Sequence, residues 1–427
     1  LNRKLQFAMI TFSVLLVGML LLGASTKKES SPEETYRHIG VFTEVLSKIK
    51  SDYVEEPDMK NVTLGALNGL LESLDPYASY LGPDQYKQYT KAMIDAKADV
   101  GLILAKRFGY VAIVGSIPGS PADKAGLTTG DMIETINNVN TRDMPLAYAE
   151  IMLKGDAGSK VEFSVLRFSR PEPQKVSLTR AAVVLPAVTS KMLAEGIGYV
   201  QAQSLAGTRS ADVATAVKSL EKQGARKFIL DLRNCATGDP REGATVANLF
   251  QDQALLGYIE GQKQKRENLE ADKAKVVTRL PVTVIVNRGT AAAGEVAAAA
   301  LLETKRAAVV GERTYGDAAV RKAIKLDDGA AVILSVAKYY SPLGKAIQDT
   351  GVTPSVPMLE QQGLPAGEED EDPPKPTVEP KKSTEDELLK KAIEIATKGV
   401  IPESATAAKT AGKGDIGLGP LNIPTPK

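Results

Sequence analysis

Side chains suited to covalent or acid–base chemistry are scarce here. Among 427 residues there is one cysteine, Cys235, and one histidine, His38. Cys235 could serve as a thiol nucleophile, but a reactive thiol needs a base or an electropositive setting beside it. A single cysteine excludes an intrachain disulfide and a cysteine zinc cluster. A single histidine excludes the metal helix that carries two of them, and His38 reads as an ordinary surface or helix residue. Asp317 and Arg321 stand four apart, the spacing of an ion pair on a helix. No metal or cofactor is expected. Lys+Arg number 53 against 52 Asp+Glu, a net charge of +1, which argues against a nucleic-acid partner attracted by bulk charge. Tryptophan is absent and aromatics make up 5%, which argues against a base-stacking surface.

The elements that must position these residues fall into blocks. Residues 1–4 are short and basic, with Arg3 and Lys4 ahead of an uncharged apolar run at 5–24. A run of about 20 such residues spans a bilayer, and basic residues before it keep that end cytoplasmic. The expectation is a single-pass anchor in the cytoplasmic membrane with the bulk of the chain periplasmic or otherwise extracytoplasmic. A cleaved signal peptide is the rival, since Gly23-Ala24-Ser25 offers small residues. Residues 35–97 read as helical: Phe42, Val45, Leu46, Ile49 and Tyr53 recur at helical spacing, as do Leu64, Leu67, Leu70, Leu71 and Leu74. Residues 98–182 read as short strands and turns, with strands at 111–114 and 161–165. Residues 183–357 alternate strands (198–201, 228–232, 282–286, 307–310) with helices (Val213, Val217 and Leu220; 292–302), the rhythm of an α/β core. Residues 360–387 form a proline-rich linker with an acidic run at 368–372. Residues 388–399 read as one more helix and 400–427 as a disordered tail.

Several segments, taken in order, resemble one family: the C-terminal processing peptidases, or tail-specific proteases. These are Leu74-Asp75-Pro76-Tyr77-Ala78-Ser79; Pro118 to Ala122 with Ala125-Gly126-Leu127 and Gly130-Asp131; Asp231-Leu232-Arg233-Asn234; Val286-Asn287-Arg288-Gly289; Gly311 to Gly316; and Lys338 to Gly344 with Ile347-Gln348. The resemblance covers residues 35–397. It implies an α/β multidomain protein with a helical region, a PDZ domain at 98–182 and a serine-peptidase-like core at 183–357.

The family uses a serine activated by a neutral lysine, with a glutamine orienting the lysine and loop N–H groups binding the oxyanion. Its nucleophile segment reads Gly-Ser-Ala-Ser-Ala-Ser-Glu, with the middle serine as nucleophile. Here the segment reads Gly289-Thr290-Ala291-Ala292-Ala293-Gly294-Glu295, which puts Ala292 at that serine. The lysine position is Asp317, a poor base for a hydroxyl. The glutamine position is Arg321, which has no acceptor and does not deprotonate. The oxyanion loop keeps Gly238, with Thr237 before it, and Tyr77 replaces a histidine. The resemblance therefore implies a catalytically degenerate member, with no catalytic residue intact. Thr290 is the nearest hydroxyl, its only candidate base is Asp317, and it reads as a helix N-cap. Cys235 reads as a small loop residue.

Peptide binding is what the resemblance leaves in place. A PDZ domain adds a peptide as an extra strand and holds its terminal carboxylate on loop N–H groups. That loop is matched by Asp99-Val100-Gly101-Leu102, with Asp99 for the first glycine, where its charge would repel a terminal carboxylate. The apolar pocket would come from Leu102, Leu104 and the helix bearing Leu146, Ala149, Ile151 and Leu153, although most of these residues read first as filling the domain core. The expected partners are proteins or peptide C-termini, with the N-terminal helix in the membrane and a homo-oligomer or membrane-complex subunit as the assembly. The leading expectation is a membrane-anchored pseudopeptidase. An active peptidase with non-standard residues and a purely structural subunit are the alternatives.

Overall fold

The computed structural model describes residues 32–95, 97–142, 144–167, 170–252, 254–359 and 386–398. The apolar run at 5–24, the acidic run and the tail past 399 lie outside them, and among the described residues no helix is long and apolar enough to cross a membrane.

The chain divides into one unit up to Ala66 and another from Leu67 onward. The first holds helix α1 (Pro32–Asp52), which carries His38 on its exposed surface. Helix α2 (Met59–Glu72) begins in this unit. Tyr53 and Leu74, expected inside helices, fall just past the two ends, and both are exposed. The second helix ends ahead of Leu74-Asp75-Pro76, as the proline there leads one to expect, and the chain turns at Asp75, whose Oδ1 accepts the N–H groups of Tyr77 at 2.7 Å and Ala78 at 2.8 Å. The stretch expected to be helical also contains a strand, β1 (Ser79–Leu81), before helix α3 (Pro83–Asp95).

The PDZ-like region is built on strands β2 (Leu102–Arg107), β3 (Tyr110–Ser116), β4 (Met132–Ile136), β5 (Val139–Asn140), β6 (Lys160–Arg167) and β7 (Arg170–Thr179), with helices α4 (Pro121–Lys124) and α5 (Leu146–Leu153). Its sheet runs β2-β3-β4-β6-β7, so β2 is an edge strand. Proline at the first turn of α4 and the Ser120 side chain at its N-cap start that helix.

The core comprises β8 (Thr189–Leu193), β9 (Ile197–Gln201), α6 (Arg209–Lys222), β10 (Lys227–Asp231), α7 (Pro240–Asn248), β11 (Leu255–Glu260), β12 (Glu267–Glu270), β13 (Val282–Val286), α8 (Ala293–Glu303), β14 (Ala307–Gly311), β15 (Ala319–Lys325), β16 (Ala331–Tyr340) and β17 (Val356–Pro357), followed by α9 (Glu387–Lys398). One sheet has the order β17-β14-β13-β10-β9-β8 and is parallel from β9 through β17. Its β13, Val-Thr-Val-Ile-Val, is buried at every position, as a strand covered on both faces must be. The strand–helix alternation seen in sequence is only half of this region. The other half is an antiparallel sheet in which β16 pairs with β1, β11 and β15.

Each face of the parallel sheet has its own cover. Val213, Val217, Val246 and the alanines of α8 fill one side. On the other, Leu388, Ala392 and Ala396 of α9 lie against Ile197, Tyr199, Ile229, Ile285 and Val310. Arg233 anchors α9: its guanidinium bonds Asp386 at 2.7 Å and the fully buried Asp231 at 2.6 Å. Tyr199 donates to the same Asp231 at 2.7 Å. Removing Arg233 would leave Asp231 as a buried, uncompensated charge. Arg233→Ala is therefore expected to cost about 3 kcal/mol in urea denaturation, and Asp386→Ala less than about 1 kcal/mol because that partner is 39% exposed. Equal losses from the two would contradict this account.

Candidate active site

β10, β13 and β14 are neighbours in the parallel sheet. Parallel neighbours release their carboxyl-end loops side by side, where α/β proteins place their sites. The three loops here are 232–239, 287–292 and 312–318, and they hold most of the sequence-derived candidates.

Backbone hydrogen bonds knit them together. The Ala291 N–H donates to the Cys235 carbonyl at 2.9 Å, the Ala292 N–H to the Asp317 carbonyl at 3.0 Å, and the Tyr315 N–H to the Thr290 carbonyl at 2.9 Å. Ala292 caps α8 at φ 49° and ψ −117°. That conformation is costly for a residue with a Cβ, and such strain collects at functional turns. The turn into α8 thus has the sharp geometry of a nucleophile elbow, and the side chain it carries is the methyl group of Ala292.

Asp317 stands beside it. Its carboxylate pairs with the Arg321 guanidinium, from a loop and the strand β15 rather than from one turn of a helix. Arg321 lies 3.7 Å over the ring centroid of Tyr77. Burial works against the charge on Arg321, but Asp317 outweighs it and holds the guanidinium protonated. Burial, helped by the Asp317 charge, drives the Tyr77 phenol far above its ordinary range. Neither group is a base at neutral pH.

The other nucleophile candidates are locked away. Thr290 was expected to cap α8, but the cap residue is Ala292. The buried Thr290 hydroxyl instead donates to the Leu232 carbonyl at 2.8 Å and accepts the Asn287 N–H at 3.1 Å. Cys235 is fully buried, and burial, with the Asp231 charge, pushes its thiol up to about 12. Thr237 donates to Ser204 at 2.8 Å. Gly238 holds φ 120°, and a Cβ there would come 2.7 Å from the Leu205 carbonyl carbon, so only glycine fits.

Two carboxylates at the centre had no role assigned from sequence. Glu295, on the first turn of α8, is fully buried and accepts the Thr314 hydroxyl, the Gly316 N–H at 2.7 Å and the Asp317 N–H at 2.8 Å. Its signal was an acid at the start of an otherwise apolar, alanine-rich stretch that runs to Leu302. Glu150, on α5, feels Arg321 and Lys154 as attractive charges and Asp317 and Asp99 as repulsive ones; burial pushes it up to about 6. Its signal was the single charge in Leu-Ala-Tyr-Ala-Glu-Ile-Met-Leu.

The PDZ-like loop is internally satisfied. The Asp99 carboxylate accepts the Gly101 N–H at 2.9 Å and pairs with Lys154 at 3.7 Å. Val100, Leu102, Leu104, Leu146, Ala149 and Leu153 are buried in the domain core, which continues into Tyr77, Ala236 and Ala291. The PDZ-like core thus rests directly on the site loops. Gly289 permits the approach, since a Cβ there would meet Asn234 Oδ1 at 2.5 Å and Thr129 Oγ1 at 3.2 Å.

With this geometry in view, comparisons place the chain among known proteins. The pattern of peptidase family S41 matches residues 196–358, and a PDZ-domain pattern matches 113–167. The chain is 34% identical over 317 residues to the carboxy-terminal processing protease CtpA of Bacillus subtilis (strain 168), covering 74% of this chain and 68% of that one. It is 32% identical over 338 residues to the chloroplastic C-terminal processing peptidase of Tetradesmus obliquus, covering 74% and 73%. The solved structure of a photosystem II D1 C-terminal processing protease superposes with a TM-score of 0.63 at 28% identity, over 74% of this chain and 92% of that one.

Two outcomes follow from the geometry. Ala292→Gly relieves the backbone at φ 49° and is expected to stabilise by about 1 kcal/mol; a lowered Tm would contradict it. Burial pushes Glu295 up from 4.5 to about 8 against its three donors. A folded-state value above the unfolded one means stability fully present below about pH 4.5 and lost as pH rises through about 8. The Tm difference between wild type and Glu295→Gln should therefore shrink across that window, and a difference that stays flat or grows would refute it.

Proposed function

This chain belongs to the S41 peptidases, among the C-terminal processing peptidases, and on that premise we propose that it binds protein or peptide segments without cutting them. One observation carries the reading: the elbow residue is Ala292, its N–H bonded to the carbonyl of Asp317, whose carboxylate is paired with Arg321. Acyl transfer needs a nucleophile and a group able to take its proton, and neither stands there. Thr290 and Cys235 offer no substitute, because both side chains are buried. The edge position of β2 supports peptide binding, since an extended segment can add to its free side. Asp99 on the Gly101 N–H favours internal segments over free carboxyl termini. The same contact, with the PDZ-like core packed on the site loops, supports a second reading: an assembly subunit whose clefts are closed. We further propose that the apolar run at 5–24 anchors the chain in the cytoplasmic membrane with its bulk outside, on the strength of Arg3 and Lys4 before it.

The test is direct. The full chain is incubated with unfolded casein beside the triple variant Ala292→Ser/Asp317→Lys/Arg321→Gln, and products are read by mass spectrometry. The natural sequence is expected to yield none, and cleavage by it would overturn the proposal. Cleavage by the triple variant alone would mean that the scaffold still supports the family's chemistry.

A further inference from the structure

Beside the loop that carries Asp317, a cavity of about 540 Å³ opens between the PDZ-like sheet and the core. Arginines line it from both sides: Arg107 at the end of β2, and Arg288 and Arg313 from the loops after β13 and β14. Their charges are unequally compensated. Arg288 pairs with Glu312 at 3.0 Å, and the lining Asp349 pairs with Lys338 at 3.2 Å. Arg313 donates Nε only to the Thr350 carbonyl. Among the described residues no carboxylate lies within ion-pair distance of Arg107 or Arg313. Two guanidinium groups therefore face one cavity from different domains without a carboxylate partner, the lining Asp349 being engaged by Lys338. At its mouth stands Phe108, 86% exposed and held at φ 52°. An exposed aromatic in a strained turn suggests a surface kept for contact rather than packing.

We propose that this cavity recognises the carboxylates of an acidic segment in a partner protein. The inference rests on the peptide-binding reading above and names the chemistry of the peptide. β2 links the two regions: it runs from the loop at Gly101 to Arg107. A segment added along its free edge leads to Arg107, Phe108 and the cavity. At the other end of the strand, Asp99 already holds the Gly101 N–H, so acid recognition falls to the arginine end. Guanidinium groups bind carboxylates in paired hydrogen bonds, and Phe108 offers a face for an apolar side chain between the acids.

The probe is the fluorescein-labelled, amidated hexapeptide Glu-Val-Glu-Phe-Glu-Val, with its all-Gln analogue, titrated by anisotropy against the full chain. The acidic probe is expected to bind at least about tenfold tighter than the analogue and to weaken with salt. Arg107→Gln/Arg313→Gln should abolish the preference and Arg107→Lys/Arg313→Lys retain part of it, with Tm values confirming that each variant is folded. Equal binding of both probes, unchanged by the Gln variant, would overturn the acidic-segment assignment and leave the peptide-binding reading standing. Binding of neither probe and of no unfolded casein would overturn both. Probe binding that emerges only when the acidic residues at 368–372 are neutralised would assign the cavity to the chain's own acidic run and overturn the partner assignment.

Discussion

The buried carboxyl of Glu295 holds the candidate centre in register. It sits on the first turn of α8 and reaches across to three donors on the loop after β14. Thr314, one of those donors, also accepts the Val352 N–H at 2.7 Å, so the turn leading into β17 is drawn into the same network. Through this network Asp317 is placed where the Ala292 N–H can bond its carbonyl. An unpaired group at such depth would cost several times an ordinary hydrogen bond, so the loops stand or move together.

The loops are held in the geometry of a nucleophile elbow, with Ala292, Asp317 and Arg321 at its centre. Such a combination is physically coherent, because the forces that shape the elbow are separate from those that would run the chemistry. The elbow depends on Glu295, on the bond between Ala291 and Cys235, and on the approach at Gly289. The chemistry would depend on a hydroxyl and a deprotonatable amine. Asp317 and Arg321 form a mutually neutralising pair, with Arg321 over the Tyr77 ring and both charges felt by Glu150 of the PDZ-like helix. The charges of this cluster reach from one domain into the other.

Much of this was legible in the sequence, and the reasons for the rest are specific. β13 and α8 announced themselves because local composition decides them: a β-branched run buried on both faces, and an alanine-rich segment. The antiparallel sheet around β16 did not, because β15 is mostly exposed and acquires its identity only by pairing with β16. The position of Ala292 against Asp317 followed from motif register, and their juxtaposition arises from the parallel order of β10, β13 and β14. The roles of Glu295 and Glu150 were invisible because their partners lie far along the chain. Thr290 was misassigned because a threonine near a helix start usually caps it, whereas here the turn at Asn287 claims the hydroxyl first.

The closing helix α9 has a consequence for the integrity of the whole fold. It covers one face of the parallel sheet, yet it joins the core through the chain between Leu359 and Asp386. While that connection is whole, docking is unimolecular and proceeds at the effective concentration that a covalent tether provides. A single peptide-bond scission within it would turn the same contact into a two-body equilibrium, governed by dilution. The sheet would then hold its cover at high protein concentration and shed it at low, exposing Ile229, Ile285 and Val310 without any change in the residues that make the contact.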